Sequence, residues 1–185
     1  MEKLLINWSI RVSLFCLFAF LITETASNRH SLRSPSLTSQ RWKTAVWWTG
    51  ALTSLLHMIL AMGWVHQWSH ERAFEDTASQ TEALLGVRFG WGIYFNYLFV
   101  VTWLADAIWM LVASSHYRNR NRWIQLGLYG YLVFIAVNGA AVFASGWIRW
   151  ATLALLVGWL GWILRTRNRF LKGASAHTRT PRNVS

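Results

Sequence analysis

Long stretches without any Lys, Arg, Asp or Glu constrain the fold of this chain most strongly. Four such stretches, in which Asp106 is the only charged side chain, occupy residues 44–65, 89–117, 123–148 and 151–164. A helix needs about 20 predominantly apolar residues to cross the hydrocarbon core of a bilayer. The sequence therefore predicts an all-α, multi-pass membrane bundle whose core, residues 45–164, contains transmembrane helices at 45–65, 91–114, 124–144 and 147–164.

Residues 1–28 form a separate hydrophobic segment. The run from Val12 to Thr23 is uncharged, but Arg11 interrupts the apolar stretch that begins at Leu4. So short a run is typical of a signal-peptide core and brief for a transmembrane helix. Three interpretations stay open for residues 5–23: a fifth transmembrane helix in which the Arg11 side chain extends toward the interface, a cleaved signal peptide, or an interfacial helix.

The basic residues indicate how the helices are oriented. Thirteen of the 18 Lys and Arg residues fall in three segments, namely loop 29–44, residues 118–122 and tail 165–185. The cytoplasmic loops of membrane proteins carry such an excess. We therefore predict a bacterial inner-membrane protein with a cytoplasmic C-terminus and with loop 66–90 outside. A cleaved signal would leave loop 29–44 outside, so the same rule favours a fifth helix or an interfacial one.

The positive charge of the chain marks its topology and not a nucleic-acid partner. The net charge of +11 is concentrated at helix ends, and the sequence contains no motif of a folded nucleic-acid-binding domain. The basic tail, residues 165–185, is expected to be disordered and to attract anionic lipid headgroups. The 54% hydrophobic content excludes a wholly disordered chain, and the single cysteine, Cys16, excludes a disulfide scaffold.

Two ionisable side chains, His57 and Asp106, fall inside predicted transmembrane helices. An ionisable group in the bilayer is costly and usually faces protein, next to a partner. Counted from the predicted inner ends of their antiparallel helices, both lie at a similar depth, so we predict an intramembrane polar pair. Asn96 and Asn138 are predicted to form a second pair nearer the outside. The helical stripe that contains Asp106 should face the bundle interior and also includes Asn96, Phe99, Trp103 and Met110.

The outer loop holds the densest group of polar residues in the chain. It lacks Gly and Pro over most of its length, so the second helix is expected to continue out of the bilayer. His66 and His70 would then share one helical face, which is half of a metal site, with Asp76 as a third candidate ligand. Tyr94 or Asn96 would support such a site from the next helix. The alternative is an amphipathic surface helix with exposed histidines.

No recognisable catalytic motif occurs in the sequence, which favours a non-enzymatic role. The leading hypothesis is a small structural or accessory subunit of a membrane complex, with the lipid bilayer and other membrane subunits as partners. An alternative is a metal- or cofactor-dependent membrane protein, redox proteins included, that uses His66 and His70. A haem held by two histidines is disfavoured because the histidines lie at different predicted depths. A second alternative is a proton-coupled carrier centred on His57 and Asp106.

Overall fold

The structure, a computed structural model, describes residues 1–27 and 37–139 and five single helical positions between 150 and 161. The described part contains no β-strand, and its α-helices are α1 Glu2–Ser27, α2 Leu37–Leu60, α3 His70–Leu85, α4 Gly92–Val112, α5 Ser114–Arg118 and α6 Arg122–Asn138. The chain divides into two compact units, Met1–Ala136 and Val137–Ser185. The predicted helix 147–164 and tail 165–185 lie outside the continuously described residues.

Within the described residues, three helical segments are long and apolar enough to cross a membrane, namely Glu2–Thr25, Thr38–Val65 and Gly92–Val112. Several such segments in an all-helical described part support the membrane-protein interpretation. The described part of α6 has 17 residues, which is short for a span. The count of four helices plus a fifth therefore stays a prediction for the segments beyond α4.

Helix α1 is one continuous helix of 26 residues that does not break at Arg11. Of the three interpretations of residues 5–23, the long apolar helix supports the transmembrane one. Helix α2 begins at Leu37, so the later part of the predicted loop 29–44 is helical. The additional turns place Trp47 well inside α2 and not at its end.

Helices α1 and α2 pack antiparallel, and polar contacts between them occur at three levels. Near the start of α1, the His57 imidazole lies 3.0 Å from the Ile6 carbonyl oxygen. In the middle, the buried Ser13 hydroxyl donates to the Gly50 carbonyl at 3.0 Å. At the other end, Lys43 pairs with Glu24 at 2.8 Å. These contacts fix the register of the two helices.

Close packing at the centre of the bundle requires a glycine at position 50. A Cβ atom built on Gly50 would lie 2.5 Å from Trp103 Cζ2 and 3.0 Å from Cys16 Cβ. Trp103 is completely buried, so its ring has no room to move away. Gly50 thus allows α1, α2 and α4 to approach one another, as small residues do at helix interfaces in lipid.

We expect Gly50→Ala to lower the free energy of unfolding by about 1–3 kcal/mol, since the added methyl group overpacks the Trp103 contact. Gly130→Ala is the matched control, because a Cβ atom there meets no atom within 4 Å. The same substitution in an unobstructed helix should stabilise by roughly 0.5–1 kcal/mol. Unfolding of both variants in detergent micelles checks this difference, and equal effects would contradict the assigned packing.

Helix α4 packs against α2 through the stripe predicted to face the interior. Phe99, Trp103 and Asp106 are buried, which confirms the prediction for these three residues. Asn96, at the outer end of the same stripe, is exposed. The stripe therefore faces protein from its middle toward the C-terminal end of α4.

The expected continuation of α2 into the outer loop is wrong. A π-helical turn, Ala61–Val65, follows α2, and the helix is then interrupted at Gln67 and Trp68, which have positive φ angles of 51° and 59°. A new helix, α3, begins at His70, where the Ser69 hydroxyl accepts the backbone N–H of Arg72 at 3.2 Å. A serine N-cap supplies one of the acceptors that a helix start otherwise lacks.

Helix α3 is a polar helix that packs beside the start of α4. Its buried positions are Ala73, Thr77, Ala78 and Thr81, and it ends at Gly86, whose φ of 73° suits glycine. Its acidic side chains are exposed, and Arg88 pairs with Glu75 and Glu82 along this outer face. The arrangement is that of an amphipathic surface helix.

Candidate functional site

The carboxylate of Asp106 is the centre of a buried polar cluster at the C-terminal end of α4. The Trp47 indole N–H and the Tyr117 hydroxyl each donate to Oδ2 at 2.9 Å. Arg120 Nη1 donates to Oδ1 at 2.5 Å and completes an ion pair. The Asp106 side chain is 0% exposed and that of Arg120 is 3% exposed, so the pair is shielded from bulk solvent.

The guanidinium of Arg120 is held by tyrosines as well as by the carboxylate. Its Nη2 donates to the Tyr129 hydroxyl at 2.6 Å. Its Cζ lies 4.0 Å from the centre of the Tyr117 ring and 5.1 Å from that of Tyr129, which is cation–π geometry. We refer to Asp106, Arg120, Trp47, Tyr117 and Tyr129 as the Asp106 cluster.

The turn after α4 brings Tyr117 and Arg120 back to Asp106. Helix α4 stops at Ala113, whose φ of −129° and ψ of 55° are not helical, and the short α5 follows. The Asn121 side chain then accepts the Trp123 N–H at 2.9 Å at the start of α6. The chain thus reverses within a few residues and places α5 and α6 beside the end of α4.

Aromatic rings surround the polar atoms of the Asp106 cluster. The Trp47 ring lies 4.2 Å from that of Phe20 on α1, 5.1 Å from that of Trp103 and 5.6 Å from that of Tyr129, measured between centres. Trp47 is completely buried. Electrostatic interactions strengthen where such rings exclude water, and an unpaired charge becomes correspondingly costly.

The side chains around Asp106 keep the protonation states that this geometry requires. Burial, followed by the neighbouring Tyr129, raises the pKa of Tyr117 far above its usual range, so its hydroxyl retains the proton that it donates. Burial works to lower the pKa of Arg120, but Tyr129, Tyr117 and Asp106 together raise it. The guanidinium is therefore charged, and it compensates the carboxylate.

The predicted His57–Asp106 pair is not formed. His57 Nδ1 lies 3.0 Å from the Ile6 carbonyl and 3.4 Å from the Ser9 hydroxyl, both on α1. Asp106 lies at the level of Trp47, and the ten residues from Trp47 to His57 separate the two levels by about 15 Å along α2. The prediction placed Trp47 at the inner end of its helix, whereas α2 extends to Leu37.

The predicted Asn96–Asn138 pair spans the two compact units. Asn96 is exposed on α4 in the first unit, and Asn138 belongs to the second. Their pairing stays a prediction.

The predicted metal ligands separate into two groups. His66 Nδ1 lies 3.1 Å from Asp76 Oδ2, a distance for ion pairing, although the approach lacks hydrogen-bond geometry. His70 instead contacts the hydroxyls of Tyr97, at 3.2 Å from Nδ1, and Tyr94, at 3.0 Å from Nε2. The helix break between the two histidines explains their separation, because they no longer share one helical face. The described residues contain no group of three His, Cys, Asp or Glu side chains arranged for a metal ion.

The partners of Asp106 were not identified from the sequence. Arg120 was counted only among the basic residues that mark the cytoplasmic side, and Trp47 and Tyr117 were not predicted to contact Asp106. The available indication was that a buried carboxylate requires a basic partner and that Arg118, Arg120 and Arg122 follow Asp106 within 16 residues.

No family model matches the chain, and no curated protein or solved structure shows a significant match to it.

Proposed function

We propose that the chain is a multi-pass integral protein of a bacterial inner membrane and serves as a non-enzymatic structural or accessory subunit of a membrane complex. In this proposal the C-terminus is cytoplasmic and loop 66–90 lies outside. Helices α1, α2 and α4 cross the bilayer, and α3 lies at the outer surface.

The arrangement of the Asp106 cluster is the observation that carries this proposal. Both carboxylate oxygens of Asp106 accept hydrogen bonds from the protein's own donors, and Arg120 balances the charge. The cluster joins α2, α4, α5 and α6 at one end of the bundle. A charged group whose described partners all belong to the same chain holds its helices together.

The outward faces of the spans support a role in association. Large apolar side chains on α4 that are exposed in the isolated chain include Leu98, Val101, Ile108 and Val112. These positions lie opposite the buried stripe of Phe99, Trp103 and Asp106. Such a face suits contact with lipid tails or with the helices of other subunits.

The charge distribution supports the proposed orientation. The Asp106 cluster, Lys43 and the basic residues Arg118 and Arg122 lie at the same end of the bundle, because Trp47 follows Lys43 by one turn on α2 and also contacts Asp106. The acidic helix α3 follows the opposite end of α2. An excess of basic residues marks the cytoplasmic side.

The other two hypotheses have weaker support. A proton-coupled carrier centred on His57 and Asp106 requires the two groups to communicate, and they lie about three helical turns apart along α2. The hypothesis of a metal-dependent protein is supported only by the contact between His66 and Asp76, because His70 contacts Tyr94 and Tyr97 instead.

Native membranes of the source organism provide the test of the proposed function. We expect the tagged chain to resist alkaline carbonate extraction and, after solubilisation in mild detergent, to copurify in fixed ratio with another polypeptide of the source organism. Release by carbonate would contradict membrane integration. A chain that purifies from mild detergent alone, or only with further copies of itself, would contradict the accessory role.

A further inference from the structure

Arg11 occupies an unusual place for a charged side chain in a candidate transmembrane helix. It is exposed on the side of α1 that faces away from α2, and its guanidinium carbon lies 5.4 Å from the centre of the Trp8 ring. Most ionisable residues in transmembrane helices face the interior of their own bundle, because exposure to lipid tails is costly. Among the described residues, Arg11 departs from this rule, whereas Asp106 follows it.

The depth of Arg11 makes its exposure costly. The candidate span Glu2–Thr25 is about 36 Å long, which exceeds a hydrocarbon core of about 30 Å by only a few ångströms. With the span centred, the core begins near Leu4, and Arg11 lies about 10 Å further along the helix axis. Extension of the side chain toward the headgroups covers only part of that depth.

The side chains around Arg11 form the pattern of a helix-packing seam. Leu4, Trp8, Phe15 and Ile22 are large, apolar and exposed. Trp8, Phe15 and Ile22 are spaced seven residues apart and form one row along α1. Leu4 and Arg11 have the same spacing and form a second row beside it. A seven-residue repeat of this kind places side chains along one line that faces a partner helix, and a single polar position in it selects the partner. We call Leu4, Trp8, Arg11, Phe15 and Ile22 the α1 seam.

No acidic side chain of this chain compensates Arg11. All seven Asp and Glu residues of the sequence lie in described positions, and five of them contact other basic groups: Asp106 with Arg120, Glu24 with Lys43, Asp76 with His66, and Glu75 and Glu82 with Arg88. Of the remaining two, Glu2 precedes Arg11 by nine residues, about 13 Å along α1. Glu71 is exposed at the start of α3, and no ion pair joins it to Arg11.

Neither the later segments of the chain nor a second copy supplies the missing charge. The sequence contains no Asp or Glu after Asp106, so residues beyond it bring no carboxylate side chain to α1. A second copy with the same membrane orientation would present its own Arg11 at the same depth, and like charges repel. The compensating carboxylate must therefore belong to a different protein.

We infer that the α1 seam binds a transmembrane helix of another subunit, and that this helix carries an Asp or Glu at the depth of Arg11. The inference rests on the proposed accessory function and specifies the partner surface and its chemistry. Trp8 stacks on the guanidinium and orients it along the seam, while Phe15 and Ile22 supply apolar contact on the side away from Trp8.

Photocrosslinking from the α1 seam in native membranes tests the inference. A photoreactive phenylalanine analogue at Phe15 is expected to form an adduct with one protein, at a peptide inside a transmembrane helix that contains an acidic residue. Arg11→Leu should lower the adduct yield about tenfold or more, because the partner's carboxylate loses its counter-charge in lipid, whereas Arg11→Lys should retain most of it. The same analogue at Ile108 on α4 is the control, and its adducts should not respond to Arg11→Leu.

Each other outcome overturns the inference. Adducts with lipid alone, adducts with a second copy, a partner helix without Asp or Glu, or an unchanged yield in Arg11→Leu would each contradict it. Arg11→Leu makes α1 more apolar and should leave membrane insertion intact, which carbonate extraction of the same samples verifies. If carbonate releases the wild-type protein from the membrane, the proposed function is refuted. If the protein stays in the membrane but forms adducts only with lipid, the inference about the α1 seam alone is refuted.

Discussion

Replacing Asp106 by Ala is expected to lower the free energy of unfolding by about 3–5 kcal/mol. The substitution leaves the Arg120 guanidinium buried without its counter-charge, and the loss of one partner from a buried ion pair has this order of cost. It also removes the acceptor of the Trp47 and Tyr117 donors. The effect should exceed that of any exposed charge in the chain, because solvent compensates an exposed partner.

Unfolding in mixed micelles, followed by circular dichroism, measures this loss. Glu71→Ala is the matched control, since Glu71 is exposed and has no ion-pair partner among the described residues. Its unfolding midpoint should lie close to that of the wild type, because an acidic side chain in the first turn of a helix contributes at most about 1 kcal/mol. If Asp106→Ala also unfolds at the wild-type midpoint, the ion pair does not stabilise the bundle.

Trp47→Ala is expected to produce the second large loss, again about 3–5 kcal/mol. Trp47 is completely buried and packs on Phe20, Trp103 and Tyr129, so its truncation leaves a cavity where α1, α2, α4 and α6 meet. Lipid does not drive apolar burial as water does, but lost packing contacts still destabilise helix association in a membrane.

Two further variants separate the contributions of Trp47. Trp47→Phe keeps much of the packing and removes the hydrogen bond to Asp106, so it should cost less than Trp47→Ala. Trp42→Ala on the same helix is the control, because the Trp42 side chain is 64% exposed. Equal losses in Trp42→Ala and Trp47→Ala would show that the packing of Trp47 on Phe20, Trp103 and Tyr129 does not add to the stability of the bundle.

The hydrophobic pattern predicted the coarse architecture well. Uncharged runs predicted α2 and α4, and spacing along α4 predicted that Phe99, Trp103 and Asp106 face protein. Both inferences depend on local periodicity, which the sequence contains directly. Helix ends were less predictable, and the start of α2 at Leu37 changed the depth assigned to every residue on that helix.

The change in depth explains the incorrect partner of Asp106. The prediction identified Asp106 as an acid that requires a partner and chose His57 because of an assumed common depth. The contact between Trp47 and Asp106 sets the true register of α2 and α4. The actual partner, Arg120, depends on the chain reversal after Ala113, and long-range geometry of that kind is not encoded in periodicity.

The break between α2 and α3 was missed for a related reason. Residues 66–85 contain no Gly or Pro, so helix propensity favoured continuation of α2, but Gln67 and Trp68 take left-handed conformations that are uncommon for such residues. Packing of α3 against α4 outweighs that cost, and the Ser69 cap defines the new start. The sequence feature that indicated a new helix start was Ser69, a favourable N-cap residue, followed by the acidic Glu71 in the first turn.

Asp106 and Arg11 are both charged residues within candidate spans, but their partners differ. Asp106 is compensated within the chain and joins its helices, whereas Arg11 is exposed on the outward face of α1. Asp106 contributes to the stability of the bundle, and Arg11 to the proposed choice of partner. Arg11→Leu should therefore affect association and leave stability unchanged, in contrast to Asp106→Ala.

A double-mutant cycle between Asp106 and Arg120 tests the structural role of the cluster most directly. The free energies of unfolding of wild type, Asp106→Ala, Arg120→Ala and the double variant give the coupling between the two side chains. We expect the double variant to lose less than the two single losses together, with a coupling of at least about 1.5 kcal/mol, as for groups in direct contact. A coupling below about 0.5 kcal/mol, which is typical of independent sites, would contradict the account.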